Sequence, residues 1–77
     1  MKKNTISVIV GSGEVGRSLW RVLAPYYPVV PVDRKPVRIK ENVDIMHVCI
    51  GYSDTFVSEV KRYQQRYKPT HTVIHST

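Results

Sequence analysis

Short blocks of contiguous apolar residues alternate along this chain with longer stretches in which apolar positions recur every three or four residues. Thr5 to Val10 (TISVIV) is β-branched and apolar over most of its length, the mark of a buried strand. After a glycine turn, Val15, Leu19, Val22, Leu23 and Tyr26 recur at helical spacing, with Arg17, Ser18 and Arg21 on the other side. Pro25 and Pro28 bracket the end of that helix. Val29 to Val32 reads as a second strand, closed by Asp33. Arg34 to Asn42 is polar, basic and broken by Pro36, which predicts a connection too short for a full packing helix. Val43 to Ile50 (VDIMHVCI) is a third strand, apolar on both faces and therefore central, and Gly51 ends it. Ser53 or Asp54 then supplies an N-cap, and Phe56, Val57, Val60, Tyr63 and Tyr67 form the stripe of a second helix that Lys68-Pro69 stops. Thr70 to Ser76 completes the set as a fourth strand.

The order β-α-β-connection-β-α-β predicts an α/β fold, a parallel sheet with right-handed crossovers and one helix on each face. Pro31 chooses the strand order. It cannot donate a ladder hydrogen bond, so the second strand belongs at an edge. That favours the order 2-1-3-4 over 3-2-1-4, in which the second strand is internal. With no full helix between strands two and three, part of one face is expected to be thinly covered, and the last strand is expected to be an open edge.

Composition adds bounds. The 77 residues, 42% apolar and 23% charged, make one ordinary globular domain with a thin core. No apolar run is long enough to cross a membrane, and Ile6 to Val10 is too short for a signal peptide, so a cytoplasmic location is the expectation. The net charge is +6. Its basic residues are spread along the chain without a nucleic-acid motif, which points to a basic surface favouring anionic ligands over specific nucleic-acid binding.

The candidate chemistry lies in Gly11-x-Gly13-x-x-Gly16, between the first strand and the first helix. Read as Gly11-x4-Gly16-Arg17-Ser18, the turn falls one substitution short of a triphosphate-binding loop, because arginine is a poor replacement for the compact lysine ammonium. Read as a dinucleotide turn it is complete. One glycine serves the turn, one the close approach of a pyrophosphate and one the helix–strand contact. The acidic partner for the adenosine ribose is Asp33, at the end of the second strand. These residues predict pyrophosphate at Ser12, Gly13, Glu14 and Val15 and ribose at Asp33. NAD is favoured because a carboxylate bonds a 2′-hydroxyl and repels a 2′-phosphate. Arg34 and Lys35 follow at once and keep NADP open.

The remaining reactive side chains carry less. Cys49 reads as a small core residue and His47 as a buried, hydrogen-bonded one. His71 and His75 stand too far apart along one strand to chelate a metal together. Glu14 complements the dipole at a helix N-terminus. Neither a nucleophile triad nor paired carboxylates nor a metal cluster emerges, so no catalytic set is expected.

VIVGSGEVGRSLW, VVPVD, VDIMHVCIG and TVIHST together resemble the N-terminal NAD(P)-binding Rossmann domain of the 6-phosphogluconate, 3-hydroxyacid and UDP-sugar dehydrogenase group. The resemblance spans nearly the whole chain and is specific to the superfamily rather than to a substrate. It implies a cofactor domain of a hydride-transferring oxidoreductase, with Gly51, Tyr52, Ser53 and Ser76 on the nicotinamide side. The group's substrate-binding helices and catalytic residues come after the point at which this chain stops. The expectation is therefore a truncated or isolated domain that binds cofactor and awaits a substrate domain or protein partner. The alternative is a non-catalytic nucleotide-sensing or interaction module of the same fold. Tyr52 departs from the group's usual proline or threonine, and the connection 34–42 is shorter than its usual helix.

Overall fold

The computed structural model describes residues 5–11, 13–33, 37–51 and 53–75. Its elements run β1 (Thr5–Val10), α1 (Glu14–Leu23), β2 (Val29–Val32), β3 (Asn42–Val48), α2 (Phe56–Tyr67) and β4 (His71–Ile74). All strand pairs are parallel and the sheet order is β2-β1-β3-β4. Pro31 indeed sits on an edge strand, opposite Ile9. β3 and β4 end at Val48 and Ile74, short of Ile50 and Ser76, although the Cys49 and His75 amides still donate to the neighbouring strands.

The pleat divides the core. Ile6, Val8 and Val10 of β1 join Val32, Val43, Met46, Val48, Val60 and Tyr67 in one cluster, so α2 covers the even face of β1. Ile9, also buried, points the other way, and with Pro31 it borders a hollow lined by Gly16, Arg17 and Trp20 of α1. The two helices thus cover opposite faces. Moving one way across the sheet through α1 and the other way through α2 gives both crossovers the same hand, as expected of parallel sheets. One irregularity interrupts the ladder. Val43 lies opposite Ile6 and Ile45 opposite Ser7, so Asp44 is an extra residue that the bulge leaves exposed.

The connection between β2 and β3 does more than its polar composition implied. Val37 and Ile39 pack against the cluster beneath α2, in the place a helix would fill. Tyr67, nearly buried, clips this segment down: its hydroxyl donates to the Val37 carbonyl at 3.0 Å and accepts from the Val37 amide at 3.3 Å. The face expected to be thin is therefore the covered one. The barer surface is the opposite face over β3 and β4, because α1 packs on β1 and β2.

The helical stripes are narrower than their periodicity suggested. Of the α1 stripe, Leu19 and Leu23 are half-buried, whereas Val15 is exposed, Val22 is 63% exposed and Tyr26, beyond the helix end, 78%. Val57 of α2 is likewise exposed. A ten-residue helix crossing only two strands presents about two turns to the sheet, too few to seat five side chains. The α2 N-cap is Thr55, without a side-chain capping bond, and not Ser53 or Asp54. Ser53 instead accepts the Phe56 amide through its carbonyl, at 3.1 Å, which tightens the entry turn. At the other end Lys68 adopts the left-handed conformation (φ 46°) and donates to the Gln64 carbonyl, the usual way to stop a helix.

Tyr67→Phe keeps the ring but deletes both bonds of the clip. It is expected to cost about 1–2 kcal/mol, lowering the melting temperature by several degrees, while Val22→Ser stays within about 0.5 kcal/mol. Thermal and urea unfolding of both variants, with exchange protection at the Val37 amide, would check this.

Candidate functional site

The C-terminal ends of β1, β2 and β3 converge on the glycine turn. Gly11 leaves β1 at φ +108°, in the region that disfavours side chains. Its amide donates to the Val32 carbonyl at 2.8 Å, and the Cys49 amide donates to the Val10 carbonyl at 2.8 Å, which ties the turn to both neighbouring strands. A Cβ on Gly11 would fall 2.7 Å from the Cys49 carbonyl oxygen. One turn into α1, a Cβ on Gly16 would fall 2.3 Å from the Gly11 carbonyl oxygen. Neither position has room for a methyl group.

Gly13 differs. It caps α1 in an ordinary extended conformation (φ −70°, ψ −171°), and a Cβ there would meet nothing within 4 Å. As a glycine, Gly13 has no side chain with which to cap the helix, whose first backbone N–H groups lack partners within the helix itself. Glu14 and Val15 follow as exposed residues of the first turn.

A cleft of about 510 Å³ opens beside this point. Val10, Gly11, Gly13 and Asp33 form one side, Cys49, Ile50 and Gly51 another, and Glu59, Arg62 and Tyr63 of α2 close it. It lies where the strand order reverses, between β1 and β3, the position at which open α/β sheets take ligands. Asp33 is exposed at the cleft wall. Ser53 is exposed too but is not among the residues lining the cleft; its hydroxyl lies 3.2 Å from that of Thr55. Ser12, Arg34, Lys35, Tyr52 and Ser76, expected at this site, lie outside the described residues.

The α2 contribution was not legible from the residue pattern. Tyr63 was expected to pack, and it does so half-buried, yet it also reaches the cleft wall. Arg62 lies over its ring, with the guanidinium carbon 5.8 Å from the centroid. Glu59, Arg62 and Tyr63 share one helical face by their three- and four-residue spacing. Only the packing of α2 on β3 shows that this face borders the glycine turn. Cys49 is half-buried, and burial pushes its thiol up from its ordinary pKa, which suits a packing residue rather than a nucleophile.

The histidines pair across strands rather than along one. His47 Nδ1 lies 3.1 Å from His75 Nε2, with ring centroids 5.3 Å apart. The bonded His47 expected from the pattern is there, half-buried rather than buried, and its partner comes from the end of β4.

No family model, curated protein or solved structure matches this chain. The fold itself is Rossmann-like. No helix among the described residues is long and apolar enough to cross a membrane.

Burial first, and the neighbouring His75 second, hold the His47 imidazole below its ordinary pKa of 6.5. The unfolded chain therefore takes up this proton at a higher pH than the folded one. The contribution is complete above the unfolded value and is lost as pH falls through the folded one. Urea midpoints are expected to drop as pH falls below about 6.5, by less in His47→Gln than in the parent chain.

Proposed function

We propose that this chain binds a nicotinamide dinucleotide, NAD in preference to NADP, as the cofactor domain of a hydride-transferring dehydrogenase. The observation that carries the reading is the division of labour among the three glycines. Gly11 and Gly16 are required by the protein's own backbone, whereas Gly13 faces open space at a helix N-terminus that it cannot itself cap. A side chain at position 13 would cost the fold little and would stand where an anion approaches. That is the pattern a pyrophosphate site needs, because backbone N–H groups and the helix dipole favour a negative ligand that comes close.

The rest of the cleft suits the same ligand. Asp33 stands at the end of β2, where a ribose hydroxyl pair would find an acceptor, and its charge disfavours a 2′-phosphate. Arg62 adds a positive charge on the facing wall, and Tyr63 an aromatic surface. Gly51 lies on the side toward β3, where the resemblance to the dehydrogenase group places nicotinamide. The cofactor would supply the hydride chemistry, while these residues bind and orient it. A substrate domain or partner would complete the enzyme.

Calorimetric and thermal-shift titration with NAD, NADP and ATP tests the reading. NAD at about 100 times its Kd should stabilise the chain by about 2.7 kcal/mol. Gly13→Ala should fold to within about 1 kcal/mol of the parent yet lose at least about tenfold in affinity. Gly16→Ala should fail to fold, and Asp33→Ala should lose the preference for NAD over NADP. If no nucleotide shifts the melting curve, the three glycines shape a turn and nothing more.

A further inference from the structure

The dinucleotide reading leaves the paired histidines unused. We propose that His47 and His75 form a two-histidine site for a divalent first-row transition-metal ion, of which Zn²⁺ is the probe. The two rings come from neighbouring parallel strands, His47 from β3 and His75 from just beyond β4. Their facing nitrogens are 3.1 Å apart. With metal–nitrogen bonds of about 2.05 Å, that separation corresponds to a nitrogen–metal–nitrogen angle of about 100°, near the tetrahedral value. The ion would sit to one side of the line between the nitrogens, and each ring would turn toward it about its own side-chain torsion.

Binding exchanges one interaction for another without a net change in protons. In the metal-free pair one of the facing nitrogens carries a hydrogen and the other accepts it. When the ion binds, that hydrogen leaves the facing nitrogen and, through solvent, the ring's other nitrogen takes one up. Both facing lone pairs are then available.

The surroundings leave space for the remaining ligands. The pair lies on the α1 side of the sheet, over β3 and β4, which α1 does not cover, and His47 borders a hollow of about 300 Å³ shared with Ser7, Leu23, Tyr27 and Ile45. Among the described residues no cluster of three or more histidine, cysteine or acidic groups is formed, so water fills the other positions. Such a site is open, with the coordination vacancies that bind an added anion rather than the closed set of a structural zinc. The ion would also tie the end of β4, held to β3 by the bond from the His75 amide to the Val48 carbonyl at 2.9 Å, more firmly to the sheet. His71, at the far end of β4, serves as the internal control.

Titration of the full chain with Zn²⁺, followed by calorimetry and by histidine side-chain nuclear magnetic resonance, tests the site. One equivalent should shift the ring signals of His47 and His75 and leave those of His71 in place. His47→Gln and His75→Gln should each weaken binding by more than about tenfold, because each removes one of two linked ligands, and His71→Gln should not. Both glutamine variants are first checked for folding by metal-free melting. Should either fail to fold, the spectra of the parent chain decide the matter. The proposal is overturned if Zn²⁺ does not saturate at one equivalent, if His71 moves with the other two, or if a folded His47→Gln or His75→Gln binds as the parent does.

Discussion

The backbone of α1 touches the turn that launches it, and the rest of the sheet's C-terminal edge is arranged around that contact. Because a Cβ at position 16 would come within 2.3 Å of the Gly11 carbonyl, the helix can lie this close only with glycine there. Gly11 in turn presses on the backbone of Cys49, so β1, α1 and the end of β3 meet at a point where no side chain intervenes. This junction aims the first turn of α1 at the space between β1 and β3. Sterics inside the protein thereby decide where the start of α1 points.

The opposite constraint comes from the α2 face, which holds nearly all of the buried apolar side chains. A chain of this length cannot cover two sheet faces equally. Here the β2–β3 connection, whose described residues are not helical, contributes Val37 and Ile39 to the covered face and is fastened there by Tyr67. That fastening matters for the cleft as well, since the same connection begins at Asp33. A segment pinned at Val37 limits how far the residue at the end of β2 can wander from the glycine turn.

Much of this was legible in the residues. The strands, both helices and the parallel order followed from apolar periodicity and from Pro31, because a proline excludes itself from an internal ladder whatever the tertiary context. The steric roles of Gly11 and Gly16, in the turn and in the helix–strand contact, were legible from their spacing. Less visible were features that depend on which helix face meets which strand. Val22 and Tyr26 continue the apolar spacing of α1 but are exposed, Val22 although the next residue, Leu23, is half-buried, and Tyr26 beyond the helix end. Arg62 and Tyr63 reach the cleft only through the way α2 lies on β3. The pairing of His47 with His75 depends on register: Val73 stands opposite His47, and His75, two residues on, shares its face. A pattern read along one strand compares His75 with His71. The sheet compares it with His47.

The two faces therefore divide the chain's physical tasks. Folding rests on the α2 side, where buried valines, Met46 and Tyr67 exclude water. The other side keeps polar and ionisable groups at half-buried positions, among them Ser7, His47, Cys49 and His75, next to Val73, which is 40% exposed. Groups of this kind are poor material for a core, because each must find a hydrogen-bond partner or water once it leaves solvent. His47 and His75 meet that demand by bonding to one another. On this argument the polar character of the β3–β4 face follows from its being uncovered. A side chain that stays within reach of water can keep its chemistry, and it is on this face, away from the packed core, that the chain retains its paired imidazoles.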